Sequence, residues 1–272
     1  MSFGGFTLCE RDGVKYYAVS FLEQTGLVRA AFTTRIGGVS TGETATMNFS
    51  TKRRDTVENV RENYRRICRA AGFSVDGLAV SIQTHGVYVH EVGDGEIGRG
   101  VFDNTPSVEA DALMTNRPGV ALVKHSADCV PVYLLDTAHK AIALVHAGWR
   151  GTAGRIAQEA LRRMAEAYGT RPQDCLAAVG PSIGPCCFAV GEDVADRFEA
   201  EFPGWGLVDR AGGQARVDLW RCNARQLAEA GVPESRVAVA GLCTACDTET
   251  FYSHRREQGR CGAMAAMMEL VL

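Results

Sequence analysis

Stretches of alternating and of continuous apolar residues predict strands that are interleaved with amphipathic helices. Period-two alternation predicts strands at 14–19 and 27–32, and short apolar runs predict buried strands farther along the chain. These further strands are expected at 78–82, 87–92, 111–114, 120–123, 130–136, 141–146, 175–179 and 237–242. Apolar residues at helical spacing predict helices at 55–71, 152–168, 191–200 and 217–230, and the Ala- and Met-rich C-terminus predicts a last helix. The order lacks the regular alternation of a barrel, so the pattern favours an α/β (α+β) fold with mixed sheets in one domain, residues 1–272.

The composition narrows the classes of function. The chain has 272 residues, 46% of them apolar, and a formal net charge of −3 with both signs mixed throughout. It has no basic block or stripe, which disfavours nucleic acid and anionic membrane as partners. No run approaches the roughly 18 apolar residues of a membrane span, and the N-terminus has no signal-peptide pattern. We therefore expect a cytoplasmic protein whose ten cysteines are reduced.

Three side chains of the metal-ligand type stand where apolar runs meet turns. His85 follows the run at 78–82, Cys129 comes directly before the run at 130–136, and His146 ends the run at 141–146. Zinc prefers imidazole nitrogen and thiolate sulfur, and three protein ligands leave a fourth position open, as in catalytic sites. The spacing therefore indicates a zinc site at the end of a sheet. Copper is disfavoured because no axial Met stands nearby, and six histidines are too few for a multicopper cluster.

The same three residues allow other interpretations. Cys129 could be a buried thiol, with the two histidines hydrogen-bonded independently. Cys129 could also be the nucleophile of a hydrolase, with His146 or His85 as its base. A metal-bound thiolate is not free to attack, so the zinc site and the hydrolase exclude each other. A small-molecule binding protein without catalysis is a third class, and the spacing leaves all of these open. The pair Cys243 and Cys246 is interpreted as incidental, because no helix start is recognisable there.

Two arginines beside glycine turns are candidates for binding an anion. Arg35 ends a predicted strand before a Gly-Gly turn, and Arg150 stands in a Gly-Trp-Arg-Gly turn that feeds a helix. Guanidinium groups, free backbone amides and the helix dipole suit phosphate or carboxylate. An ordinary surface loop and a tight strand–helix connection explain the same residues, and both interpretations stay open.

Seven short motifs follow one another over most of the chain. They are TRIGGVS at 34–40, QTHG at 83–86, ADAL at 110–113, ADCVP at 127–131, HAGWRGT at 146–152, GPSIGPCC at 180–187 and SHRR at 253–256. In this order they resemble the laccase-domain, or YfiH-type, purine nucleoside phosphorylase family. His254 and Tyr64 stand where that family commonly has other residues.

The resemblance implies a fold, a metal and an activity. The implied fold is a four-layer α/β/β/α sandwich, and the implied metal is zinc held by His85, Cys129 and His146. The implied activity is phosphorolysis of adenosine, inosine, guanosine and methylthioadenosine, with adenosine deamination as a second activity. The family also carries an older polyphenol oxidase label, which the histidine count disfavours, and some bacterial members are linked to peptidoglycan precursor editing.

On this basis we assign provisional roles to the remaining candidates. Phosphate is expected at Arg35, Arg150 and the helix amides, and Asn48 and Asp111 are expected to orient the nucleoside. The alternative function is a Cys/His hydrolase acting on an amide or a peptidoglycan precursor. The preferred nucleoside, the proton donor to the leaving base and the oligomeric state do not follow from the sequence. Three residues receive no role: Cys187, Arg255 and His125.

Overall fold

The computed structural model describes residues 2–102 and 107–271, which form two large sheets flanked by helices. The strands are β1 (Ser2–Phe3), β2 (Phe6–Arg11), β3 (Val14–Ala18), β4 (Val28–Thr33), β5 (Leu78–Ala79), β6 (Val89–Glu91), β7 (Ala112–Thr115), β8 (Ala121–Ser126), β9 (Val130–Asp136), β10 (Ala141–Ala147), β11 (Cys175–Val179), β12 (Val208–Asp209), β13 (Arg216–Val217), β14 (Val237–Val239) and β15 (Met264–Leu270). The α-helices are α1 (Ser20–Glu23), α2 (Val57–Ala71), α3 (Trp149–Ala153), α4 (Ile156–Tyr168), α5 (Glu192–Glu201) and α6 (Leu219–Glu229).

Both large sheets are mixed. The first has the order β1-β2-β3-β4-β15-β8-β5, and the second has the order β14-β11-β9-β10-β7-β6. The pairs β5–β8, β6–β7 and β11–β14 are parallel, whereas the other pairs within these two sheets are antiparallel. Strands β12 and β13 form a separate antiparallel pair. The predicted mixed sheets are thereby confirmed.

The period-two alternation of the strands sorts their side chains into layers. In β9, Tyr133 and Leu135 pack between the two sheets, whereas Val132 and Leu134 pack against the helices on the outer face of the second sheet. That outer face is covered by α3 to α6, and the outer face of the first sheet is covered by α2 through Tyr64 and Ile67. The result is the four-layer α/β/β/α sandwich that the resemblance implied.

The predicted C-terminal helix is wrong, because this segment forms strand β15 in the middle of the first sheet. It pairs with both β4 and β8, and all seven of its residues are buried. Alanine, methionine, glutamate and leucine favour a helix by intrinsic propensity. Here Met264 and Met268 pack between the sheets while Met267 packs under α2, so burial on both faces of a strand outweighs that propensity.

Two helix starts also differ from the prediction. The helix expected at 152–168 is two helices, because Arg155 takes a left-handed conformation (φ 61°) that separates α3 from α4. Helix α2 begins at Val57 and not at 55, because the Thr56 side chain caps it by accepting from the Asn59 backbone N–H. Its predicted end is confirmed, since Gly72 adopts the left-handed C-cap conformation (φ 82°).

None of the helices formed by residues 2–102 and 107–271 is both long and apolar enough to cross a membrane. That the whole chain forms one domain stays a prediction, as does its cytoplasmic location.

Candidate metal centre and its cavity

Strand register brings the predicted ligands to one end of the second sheet. Strand β10 runs antiparallel to both neighbours, so the end of β10, which carries His146, lies beside the starts of β9 and β7. Cys129 directly precedes β9, and Asp111 directly precedes β7. Strand β6 runs parallel to β7, and the turn that carries His85 lies shortly before β6. His85, Asp111, Cys129 and His146, which are distant in sequence, therefore all lie at the same end of the second sheet.

The turn at 83–86 is held in place by a single buried carboxylate, Asp111. Its two oxygens accept hydrogen bonds from the backbone N–H groups of Thr84, His85 and Gly86 at 3.2, 3.0 and 2.8 Å, and from the Thr84 hydroxyl at 2.9 Å. His85 has a left-handed backbone (φ 62°), which directs these consecutive amides to one acceptor. The turn therefore owes its shape to Asp111, and this shape places the His85 ring.

Asp111 also orients His146. His146 Nδ1 lies 2.9 Å from Asp111 Oδ1, and both side chains are buried. Burial by itself would raise the pKa of Asp111, but hydrogen bonds from His146, Gly86 and Thr84 hold that pKa well below its usual value. The ionised carboxylate requires a hydrogen on Nδ1, and burial lowers the pKa of His146 although the bond to Asp111 acts in the opposite direction. The ring is therefore neutral at pH 7, and its Nε2 lone pair is free to bind a metal.

The three candidate ligand atoms of His85, Cys129 and His146 lie within 4.8 Å of one another. His85 Nε2 is 4.0 Å from Cys129 Sγ, and the two imidazole rings are 4.9 Å apart in an edge-to-face arrangement. Tetrahedral zinc with ordinary bond lengths would place such nitrogen and sulfur atoms about 3.6 Å apart. Gly148 keeps the space above the ligands open, because a Cβ there would lie 3.0 Å from the His85 ring. The donor set, the spacing and the Asp111–His146 bond fit zinc with one open position.

Cys129 is partly buried, and a braced turn precedes it. Burial raises the pKa of the Cys129 thiol to about 12, and the charges of Asp128 and Asp111 add to this effect. Asp128 has a left-handed backbone (φ 87°), and its carboxylate accepts from the Thr244 hydroxyl, the Ser253 hydroxyl and the Arg255 N–H at 2.7, 3.0 and 2.7 Å. Without a bound cation the thiol is a poor nucleophile at neutral pH.

His85, Cys129 and His146 all line one cavity of about 650 Å³. Its wall combines cationic and apolar side chains. The cationic residues are Lys52, Arg53, Arg150 and Arg255, and the larger apolar residues are Val80, Ile82, Trp149, Ile183 and Phe188. Within residues 2–102 and 107–271, none of these four cations forms an ion pair with a carboxylate. The cavity thus offers positive charge to a ligand and has the size and mixed wall of a small-molecule site.

Residues 29–271 match the family described as multi-copper polyphenol oxidoreductase laccase. The chain belongs to this laccase-type family. The resemblance derived from the seven motifs is thereby confirmed.

Relatives in this family carry names that agree with the resemblance. The chain is 41% identical to a purine nucleoside phosphorylase of Deinococcus radiodurans over 242 residues, which covers 88% of each protein. It is 35% identical to the adenosine deaminase RL5 of an unknown prokaryotic organism over 189 residues, 68% of this chain and 72% of RL5. The crystal structure of YlmD from Geobacillus stearothermophilus superimposes with a TM-score of 0.91 at 32% identity, covering 98% of each chain.

Of the four substrate-binding residues predicted for this laccase-type chain, only Arg150 lines the cavity. Arg35 bonds to Glu257 at 3.2 Å and to the carbonyl of Thr248 at 2.8 Å, and its guanidinium covers the Tyr252 ring at 4.4 Å. It braces a loop and is absent from the cavity wall, so its predicted contact with phosphate is not supported.

Asn48 and Asp111 do not line the cavity either. Both side chains have 0% exposure. The Asn48 amide donates to Ser50 and Asp55, and its oxygen accepts from Ser50 and Ala263. Asn48 therefore shapes the loop that carries the cavity residues of 50–53, and Asp111 shapes the 83–86 turn. Their predicted contacts with a nucleoside are not supported by these positions.

Several cavity residues were given no role from the sequence. Lys52 and Arg53 lie in a loop of ordinary polar composition, and no local pattern marks them. Arg255 was noted in its motif without an assignment. His125 accepts from or donates to Tyr64 Oη at 2.7 Å, and burial together with the charge of Lys124 lowers its pKa to about 4. Tyr64, which departs from the family pattern, and His125, which received no role, are thus partners.

Proposed function

We propose that this protein is a zinc-dependent purine nucleoside phosphorylase that acts on adenosine, inosine, guanosine and methylthioadenosine, with adenosine deamination as a second activity. The proposal rests on one observation. The ligand atoms of His85, Cys129 and His146 lie together in the wall of a cavity, and the four cationic side chains of that wall form no ion pair with a carboxylate of the described residues. The names of the relatives support the same activities.

The zinc assignment is supported by the arrangement of its ligands. His146 presents Nε2 because Asp111 fixes its tautomer, His85 is placed by the turn that Asp111 holds, and Cys129 supplies a sulfur. Imidazole nitrogen and thiolate sulfur are ligands that zinc prefers, and three protein ligands leave the open position typical of a catalytic site. Bound zinc supplies Lewis-acid chemistry and the activation of water.

Phosphate is assigned to the cationic wall. Arg150 is exposed at the start of α3 and lies against the ring of Trp149 at 4.3 Å, which orients the guanidinium. Arg53 and Arg255 are anchored by bonds to the carbonyls of Gly259 and Ala189. These side chains replace Arg35 as the phosphate-binding group. They hold the phosphate oxygens while one oxygen attacks the anomeric carbon and the bond to the base breaks.

The apolar part of the wall suits the purine. Ile82, Ile183 and Phe188 offer flat or branched apolar surface beside the ligand set. A purine packed against these side chains shares the cavity with the cations assigned to phosphate, and Arg255 itself lies over the Phe188 ring at 5.4 Å.

The alternatives receive less support from the same geometry. For a Cys/His hydrolase, the 4.0 Å between Cys129 Sγ and His85 Nε2 is longer than the contact of an activated nucleophile and its base. For a multicopper oxidase, the described residues gather histidine ligands into one group, His85 and His146 with Cys129, whereas His139 is bonded to Asp136 and His125 to Tyr64. The histidines therefore do not gather into several copper sites.

Replacing Arg150 by alanine tests the phosphate assignment. We expect the KM for phosphate to rise about ten- to a hundredfold, because a charge-assisted hydrogen bond is lost. The KM for inosine should change less than about threefold, and the zinc content should stay the same. Initial rates at varied phosphate and fixed inosine give both constants.

Arg171→Ala is the matched control, since Arg171 is exposed and pairs with Asp174 outside the cavity. It should leave both constants at the wild-type level. An unchanged KM for phosphate in Arg150→Ala would refute the assignment of Arg150.

A further inference from the structure

Four cysteine thiols from the two loops that follow β11 and β14 lie close together. Cys186 and Cys187 end the GPSIGPCC motif, and Cys243 and Cys246 form the CxxC pair that was interpreted as incidental. All four sulfur atoms lie within 4.8 Å of one another. Cys246 Sγ is 3.5 Å from Cys186 Sγ and 3.4 Å from Cys187 Sγ. The pair is therefore not isolated, because the fold supplies two further thiols.

The backbone brings these loops together independently of the thiols. Ser182 and Cys243 form a parallel bridge, with hydrogen bonds from Ser182 N to Leu242 O and from Thr244 N to Ser182 O, both 3.1 Å long. The N–H of Gly184 points to Cys243 Sγ at 3.2 Å. A backbone N–H directed at sulfur stabilises a thiolate, which is the form that binds metal.

We propose that Cys186, Cys187, Cys243 and Cys246 bind one zinc ion in a closed structural site, separate from the centre at His85, Cys129 and His146. Zinc with four thiolate ligands is tetrahedral, and Zn–S bonds of about 2.3 Å place its sulfur atoms about 3.8 Å apart. The observed contacts of 3.4 and 3.5 Å, and the 4.8 Å limit for the whole set, match a single ion. Iron–sulfur clusters spread their cysteine ligands around several irons and need wider spacing.

The site would link its two loops to the metal centre through Asp128. The segment that carries Cys243 and Cys246 continues into Ser253 and Arg255, and Thr244 lies within it. Thr244, Ser253 and Arg255 donate to the Asp128 carboxylate, while Ile183 N donates to the Asp128 carbonyl at 2.9 Å. A zinc ion across the loops would therefore hold the turn before Cys129 without contacting substrate.

Metal analysis of freshly purified protein and of four variants tests the proposal. We expect two zinc ions per chain in the wild type, one in Cys246→Ser, one in Cys129→Ala and none in the double variant. Cys9→Ser is the control, since Cys9 is a partly buried thiol outside both clusters, and it should retain two. Zinc in Cys246→Ser equal to the wild-type amount would overturn the proposal. If the catalytic centre bound no zinc, the wild type and Cys129→Ala would each hold one ion and Cys246→Ser none, so the two proposals fail in different ways.

X-ray absorption on Cys129→Ala provides a test that does not depend on the folding of Cys246→Ser. We expect its single zinc to be surrounded by four sulfur atoms at about 2.3 Å, with no nitrogen or oxygen ligand. Nitrogen ligands, no zinc at all, or a disulfide between members of the cluster found by mass spectrometry of the unreduced protein would each overturn the proposal.

Discussion

Replacing Cys129 by alanine should remove the zinc of the catalytic centre and lower the phosphorolysis of inosine by at least about a thousandfold. The sulfur is one of three ligand atoms within 4.8 Å of one another, and two imidazoles alone hold zinc weakly at micromolar concentration. Loss of a Lewis acid that contributes about 4 kcal/mol to the transition state corresponds to three powers of ten in rate. Zinc content and initial rates, with phosphate saturating, measure both effects.

The fold should tolerate this change. Cys129 is partly exposed, and its side chain ends at the cavity. Thermal unfolding of the zinc-free proteins should therefore agree closely between Cys129→Ala and the wild type. Cys9→Ala removes a partly buried thiol elsewhere and should keep full activity. A Cys129→Ala protein that holds one zinc less than the wild type but keeps activity within tenfold of the wild type would contradict a catalytic role for this metal.

Replacing Asp111 by asparagine should both destabilise the fold and weaken zinc binding. The buried carboxylate accepts five hydrogen bonds, from Thr84 twice, His85, Gly86 and His146. An asparagine keeps one acceptor oxygen and turns an NH₂ group towards donors, so about 3–5 kcal/mol of unfolding free energy should be lost. Without the carboxylate the tautomer of His146 is no longer fixed, and zinc affinity should fall about 10- to 100-fold. Urea unfolding and competition with a zinc chelator give the two quantities.

Asp136→Asn is a matched control for this prediction. Asp136 also has 0% exposure and also lies 2.9 Å from the Nδ1 atom of a histidine, His139, but outside the cavity. It should lose stability in the same range while zinc affinity at the catalytic centre stays unchanged. Equal zinc affinity in Asp111→Asn and Asp136→Asn would contradict the positioning role of Asp111.

The structure brings the three predicted ligand residues together but leaves three of the four predicted substrate residues outside the cavity wall, and the reason is physical. His85, Cys129 and His146 each stand near one end of an apolar run, and the antiparallel pairing of β10 with β9 and β7 brings the end of β10 beside the starts of its neighbours. Arg35 looked equally suitable, but its partner Glu257 is 222 residues away in the chain. Such a long-range ion pair leaves no local pattern. The same holds for Arg53, which reaches the cavity through a loop whose shape depends on buried Asn48.

For the fold as well, elements that depend on local sequence were predicted, whereas an element that depends on long-range contacts was not. The buried strands β9 and β10 were visible as apolar runs that are too short for helices. Strand β15 was not visible, because its Ala- and Met-rich composition favours a helix until two neighbouring strands, β4 and β8, enclose it. The neighbourhood of the CxxC pair was not visible for a similar reason, since the two thiols opposite it are about sixty residues away in the chain.

We expect zinc and phosphate together to cleave a purine nucleoside at this cavity. The most direct test incubates inosine with wild-type protein of known zinc content, with and without phosphate, and identifies the products by chromatography. We expect hypoxanthine and ribose 1-phosphate in equal amounts, formed only when phosphate is present, and we expect zinc to restore their formation after chelator treatment. Zinc-loaded protein that releases no base from inosine, adenosine, guanosine or methylthioadenosine in the presence of phosphate would contradict it.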